Sequence, residues 1–310
     1  MAELFLVEPD RQVQPDFFER LLAVWLDGKT PKTKAAYKRD IEAYSHHLGR
    51  GCSPTQAVEQ LLSNGTAEAC LDVASWINEQ RAAGLSSATI NRRLAALKSL
   101  TSTARDYGIC SNVEITVRHL PSRPARESRG PEPGALRQAM RELEHDRSGR
   151  GMMACAVARL CHDCALRRSE VRSIRLSDLD RQTGALGVVG KGNRREVITI
   201  PKPTMRALSA FIDKVRGDAP GPLFPGRDGV HPISESTIYR LVREHFGCRP
   251  HGLRHCGIST AARVAQREGF GLQDLQSYSR HRDMTGLLPY LDPDRSAQAR
   301  LAALVAESTE

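Results

Sequence analysis

The stretch His251-Gly252-Leu253-Arg254-His255 sets two histidines and an arginine within five positions. Metal binding, proton transfer and phosphate binding all use such clusters. The four-residue step between the histidines is that of H-E-x-x-H zinc helices, but Gly252 stands where the glutamate base belongs. Arg254, one turn along, repels a cation. A second metal candidate lies upstream, where Cys155, Cys161 and Cys164 surround His162. It offers a single C-x-x-C, where paired C-x-x-C motifs mark structural zinc. Its segment is almost wholly apolar, so these cysteines read as buried free thiols. No metal and no other cofactor is expected.

Phosphate fits the remaining residues better. Arginine stays charged at any working pH and grips phosphate oxygens in pairs. His251 and Arg254 are three residues apart, on one side of a helical turn. In CALRRSEV, Arg167 or Arg168 precedes a helix start, a favourable place for an anion. Lys191 sits between glycines in GKGN. His281 precedes Tyr290 by nine positions. Two arginines, a lysine, two histidines and a tyrosine suit attack on a phosphodiester without a metal. The tyrosine can be the covalent nucleophile, and the cations stabilise charge developing on the phosphoryl oxygens.

These residues need a frame, and the pattern predicts a mainly helical one. Residues 12–108 read as helices, with apolar spacing over 16–26, 33–49, 66–84 and 86–108. The last carries Arg92, Arg93 and Lys98 on its polar face. The Pro-, Arg-, Gly- and Ser-rich stretch 121–134 reads as a linker, whose Arg123 and Arg126 are placed to hold a phosphate backbone. Beyond it, helices are predicted over 134–146 and 151–164. A short one follows, capped by Ser169. A hairpin spans 185–201 with GKGN at its tip. Helices return over 203–216, 234–246, 254–268 and 271–278, and an amphipathic helix over 294–307 ends the chain. Pro289 should stop the preceding helix early and leave Tyr290 on an irregular segment.

The chain has 310 residues, a net charge of +9 and 5% aromatics. The length suggests two domains. The charge favours polyanionic partners, and the scarcity of aromatics favours duplex phosphates over stacked single strands. No apolar run is long enough for a bilayer. The N-terminus, MAELFLVEPD, is no secretory signal, so a cytoplasmic protein with free thiols is expected.

The residues in this order resemble the tyrosine recombinases, the family of phage integrases and Xer-type enzymes. The resemblance runs from about residue 12 to the end. Ala165-Leu166-Arg167-Arg168-Ser169-Glu170-Val171 is similar to the family's G-L-R-x-S-E-L, which selects Arg167 over Arg168. Gly190-Lys191-Gly192 matches its hairpin lysine, and His251, Leu253, Arg254 and His255 fill its H-x-L-R-H box. His281 and Tyr290 keep its final spacing. Three positions depart from the pattern. Ala165 stands where glycine is usual, Arg280 stands where glycine is common, and Pro289 directly precedes Tyr290. Arg280 is accordingly expected to add a phosphate contact.

The resemblance implies a helical, SAM-like core-binding domain over 1–115, a linker over 116–133 and an α+β catalytic domain over 134–310. It implies site-specific recombination of double-stranded DNA for integration, excision or resolution. Tyr290 would attack, His251 would act as base, and Lys191 would protonate the leaving oxygen. Arg167 and Arg254 would clamp the phosphate, His281 would hydrogen-bond it, and His255 would support the box. It further implies dimers on a site, tetramers in a synapse, a final helix docked on a neighbour, and a role for accessory proteins. Two other readings share this scaffold. One is a type IB topoisomerase-like enzyme, against which the helical N-terminal half argues. The other is a silent DNA-binding regulator, against which the six filled positions argue.

Overall fold

The computed structural model describes residues 16–110, 113–121, 130–190, 194–290 and 305–308. The chain divides into two compact units, Met1–Arg123 and Pro124–Glu310.

Where periodicity marks four helices in the first unit, the structure has five among the described residues. They are α1 (Phe17–Asp27), α2 (Pro31–Leu48), α3 (Pro54–Ser63), α4 (Thr66–Ala82) and α5 (Ser87–Asp106). The additional helix, α3, is short, but its start is well specified. Ser53 and Gln56 form a reciprocal capping box, and Pro54 fills the first helical position. Thr30 and Ser86 cap α2 and α5 through the backbone N–H groups of Thr33 and Thr89. The helices close around Trp25, Ile41, Tyr44, Leu61, Trp76, Leu94 and Leu97, all buried. Burial of each such side chain contributes about 1.5–3 kcal/mol.

The second unit is built on α7 (Gly149–Asp163), which is buried along most of its length. Around it lie α6 (Pro133–His145), α8 (Arg168–Ser173), α9 (Lys202–Phe211), α10 (Glu235–Phe246) and α11 (Pro250–Glu268). A two-stranded antiparallel sheet, β1 (Ala185–Val189) with β2 (Arg195–Thr199), pairs Ala185 with Thr199 and Val189 with Arg195. The mainly helical architecture with one small hairpin agrees with the sequence reading. Gly257 allows α11 to lie against α7, since a Cβ there would collide with the His162 carbonyl oxygen.

Several boundaries differ from the periodicity. Helix α11 starts at Pro250 rather than 254, because Arg249 is extended before the proline and serves as N-cap. Helix α8 is capped at Arg167 rather than Ser169. Helix α12 (Leu272–Ser279) ends because Arg280 turns left-handed, at φ 52°, and not because of Pro289. Tyr290 stands at the end of a 3-10 helix, Met284–Tyr290, and not on an irregular segment. Most of the helix expected over 294–307 lies outside the described residues.

Candidate active site

The site begins at the end of α7. Cys164 is its last cap, and Ala165 takes a left-handed conformation, φ 48°. Leu166 returns its N–H to the Leu160 carbonyl, 3.1 Å away. The turn exposes the Ala165 carbonyl oxygen to Arg254, which is only 2% exposed. Arg254 Nη1 donates to that oxygen, and Nη2 donates to the Ser279 carbonyl at 2.6 Å. Burial, with repulsion from Arg167, lowers its pKa to about 10, so it remains a cation at neutral pH.

Arg167, at the N-cap of α8, lies half-exposed beside Glu170. The Arg167 backbone N–H donates to Glu170 Oε2 at 2.7 Å, and its Nη1 donates to Oε1 at 2.7 Å. Its Nη2 reaches the carbonyl oxygen of Arg280 at 3.4 Å. Burial pushes the Glu170 carboxyl up, but the Arg167 N–H and the charges of Arg280 and Arg167 outweigh it, and its pKa is lowered.

His251 stands in the first turn of α11 and is exposed. Partial burial, then the charges of Arg254, His255 and Arg167, lower its pKa, so it is neutral at pH 7 and able to accept a proton. His281 Nδ1 lies 2.8 Å from Ser279 Oγ, which donates to the Gln276 carbonyl at 3.2 Å. Partial burial, then Arg254 and Arg167, lower the pKa of His281 as well. Gly286 leaves room for the ring, since a Cβ there would stand 2.9 Å from His281 Cδ2.

Tyr290 packs against the buried cluster of Ala165, Ile258, Ala262, Leu275 and Leu287. Its ring centroid is 4.6 Å from that of His255 and 6.0 Å from that of His281. Burial raises its pKa, and Arg254 opposes the rise. The phenol is therefore protonated at neutral pH, and attack by its oxygen requires a base.

Arg167, Arg254, His281 and Tyr290 are thus linked through the 279–281 segment and the His255 and His281 rings. His251 stands three residues before Arg254 on α11, and Lys191 lies outside the described residues. Glu170 is not among the residues expected from sequence to work in the site, although it stands three positions after Arg167, within reach on the same helix face. Nor does the sequence give His255 a contact with Tyr290. That contact depends on the path of the 3-10 helix, which periodicity does not show.

The expected DNA contacts fall out differently. Arg280 is corrected here. Its guanidinium is turned inward onto the Glu170 carboxylate, 2.6 Å away, with Glu196 at 3.5 Å, so its charge is already paired, whereas Arg254 donates to carbonyl oxygens and keeps its net charge. Arg93 donates to Gln80 at 2.9 Å and lies over Trp76, whereas Arg92 stays 43% exposed while pairing with buried Asp40. Lys98 is half-buried, and Arg123 and Arg126 lie outside the described residues. Cys155, Cys161 and Cys164 are buried, and burial pushes their thiols up to about 11, 12 and 12. Among the described residues, no group of three His, Cys, Asp or Glu side chains is placed to hold a metal ion.

Comparison with known proteins reads the same residues independently. Residues 135–296 match the phage integrase family, and 21–108 match the N-terminal SAM-like domain of phage integrases. The chain belongs to the phage integrase family of tyrosine recombinases. A tyrosine recombinase of Synechococcus elongatus is 30% identical over 96% of both chains. The tyrosine recombinase XerC of Xylella fastidiosa strain M23 is 27% identical over 83% of this chain and 85% of its own. In fold, the Tn1549 transposon integrase bound to transposon right end DNA is similar at a TM-score of 0.66, with 17% identity over 93% of this chain and 99% of that one. A lambda integrase tetramer bound to a Holliday junction is similar at 0.61, with 15% identity over 88% and 77%.

The catalytic match of the phage integrase family runs from before Arg167 to beyond Tyr290, and the SAM-like match covers most of α1 to α5. Among the described residues, no helix is long and apolar enough to cross a membrane.

Proposed function

We propose that this integrase-family chain is a site-specific recombinase that cuts and rejoins duplex DNA through a 3′-phosphotyrosyl bond at Tyr290. The observation that carries the reading is that Tyr290 lies against His255 and His281, just beyond the Ser279 and Arg280 carbonyls that hold Arg254 and Arg167. His251, neutral at pH 7, takes the phenolic proton as the Tyr290 oxygen bonds to phosphorus. The P–O5′ bond breaks, and Lys191 gives its proton to the leaving 5′-oxygen. Arg167 and Arg254 hold the charge on the non-bridging oxygens, and His281 hydrogen-bonds the phosphate. A 5′-hydroxyl from the partner strand then attacks phosphorus and returns the electron pair to Tyr290. One phosphoester replaces another at each step, so neither ATP nor a metal is needed to drive rejoining.

The reading extends to the whole chain. Residues 1–115 form the core-binding domain, 116–133 the linker and 134–310 the catalytic domain. Arg92, Lys98, Arg123 and Arg126 contact phosphates. The protein acts in the cytoplasm as a dimer on its site and a tetramer in the synapse. Similar proteins support DNA binding and self-association, since the Tn1549 integrase is seen on transposon right end DNA and the lambda integrase as a tetramer on a Holliday junction.

The test uses a duplex selected from randomised DNA by binding to the full chain, then nicked beside the cleavage position. Wild type should yield an adduct that survives denaturation, and Tyr290→Phe none. An adduct persisting in Tyr290→Phe, or a wild type that binds without ever forming one, overturns the reading.

A further inference from the structure

Arg280 is one of two non-glycine residues with positive φ among those described, and the conformation it holds is one that glycine adopts freely and other residues adopt under strain. Its guanidinium is 7% exposed. Nη2 donates to Glu170 Oε2 at 2.6 Å and approaches the Ala165 carbonyl at 3.4 Å. Nη1 donates to the Cys164 carbonyl at 3.2 Å, and Nε lies 3.5 Å from Glu196 Oε2 on β2. The Arg280 carbonyl accepts from Arg167 Nη2 at 3.4 Å.

Each partner belongs to a different part of the site. Glu170 holds Arg167, and the Ala165 carbonyl also holds Arg254. Strand β2 is one arm of the hairpin that carries Lys191, and His281 follows Arg280 in the chain. We propose that Arg280 is a positioning residue. Its inward guanidinium clamps the segments bearing Arg167, Arg254 and His281, together with strand β2, into one phosphate-binding frame. The proposal rests on the recombinase reading. Glu170 divides its oxygens between the two guanidiniums, giving Oε1 to Arg167 and Oε2 to Arg280, with the Arg167 backbone N–H also on Oε2. With Arg280 removed, Oε2 loses its charged partner, and the Arg167 guanidinium can turn onto both oxygens, away from a phosphate. Displacement of a reacting group by about 1 Å costs on the order of 100-fold in rate.

The decisive variants are Arg280→Gly and Arg280→Asn. Both residues tolerate positive φ, and neither reaches Glu170. On the nicked duplex described above, adduct formation at saturating DNA should slow at least about tenfold, with DNA affinity within about twofold of wild type. In Arg280→Gly combined with Glu170→Gln, the losses should be less than multiplicative, because the two residues act through each other. A rate within about twofold of wild type overturns the proposal, as does an affinity loss matching the rate loss, which marks a direct DNA contact. Losses that multiply in the double variant overturn it too. Amide exchange separates this outcome from failure of the recombinase reading. Residues 164–170 and 195–199 should exchange faster in Arg280→Gly whether or not wild type forms an adduct, and unchanged exchange overturns the clamp.

Discussion

The Arg280 guanidinium donates to the carbonyl oxygen of Ala165 at 3.4 Å, and these two residues alone, among the described non-glycines, hold positive φ. Both stand where the family resemblance calls for glycine. Each strained turn aims a carbonyl at an active-site arginine: Ala165 at Arg254 and Arg280 at Arg167. Side chains at these positions add packing and pairing that a glycine could not supply.

Magnitudes decide what Ala165→Gly does. Relief of left-handed strain is worth about 1–2 kcal/mol. Loss of a buried methyl costs about 0.8 kcal/mol, and the freer unfolded chain about 0.4–1 kcal/mol. The terms nearly cancel, so the urea midpoint should stay close to that of wild type. Ala165→Val enlarges a fully buried side chain and puts a β-branch at positive φ, so it should lose at least about 2 kcal/mol.

Arg254 is a buried structural group and, in the proposed mechanism, also holds the phosphate. Arg254→Lys keeps a charge but cannot reach the Ala165 and Ser279 carbonyls in the same fork. One buried carbonyl left unpaired costs about 1–3 kcal/mol. Chemical denaturation should show that loss, and adduct formation at saturating DNA should fall while affinity holds, because the arginine acts on the transition state. A lysine variant of full rate and stability would contradict both roles.

The pH dependence follows from two opposed shifts. The His251 pKa lies below its ordinary ~6.5, so the base form persists into mildly acidic solution. The Tyr290 pKa lies above its ordinary ~10. Single-turnover adduct formation should therefore be level from pH 6.5 to 8.5 and fall only at more acid pH, as His251 gains a proton. A rate climbing about tenfold per pH unit toward pH 9 would mean that hydroxide, not His251, removes the phenolic proton.

Glu170 should leave its mark on acid stability. Its folded pKa is depressed, so the unfolded chain binds the proton more tightly. The stabilisation is complete above the ordinary ~4.3 and is lost as pH falls through the folded value. Glu170→Gln leaves buried Arg280 with only the more distant Glu196 as charge partner and should cost up to about 3 kcal/mol at pH 7. Melting curves should show the gap between variant and wild type narrowing below about pH 4.

Most of this architecture was legible beforehand because caps and apolar spacing act locally. The hairpin flanking GKGN and the helices around His251 announce themselves in adjacent residues. Helix α3 was harder, since ten residues give few turns of periodicity. The orientation of Arg280 was not legible at all. A basic residue beside His281 looks like a phosphate contact until Glu170 and Ala165, more than a hundred positions away, are seen beneath it. The same holds for Tyr290, whose approach to His255 depends on the 3-10 path through Pro289 rather than on any local pattern.

The burial of Arg254 has a consequence for the cell. Its two carbonyl partners, Ala165 and Ser279, are brought together only when α7 and α12 have both taken their places beside α11. An incompletely folded chain therefore has a tyrosine and no aligned cation opposite it. If Tyr290 cuts DNA as proposed, that capacity exists only in the finished tertiary structure, and a chain that is half-built or coming apart lacks it.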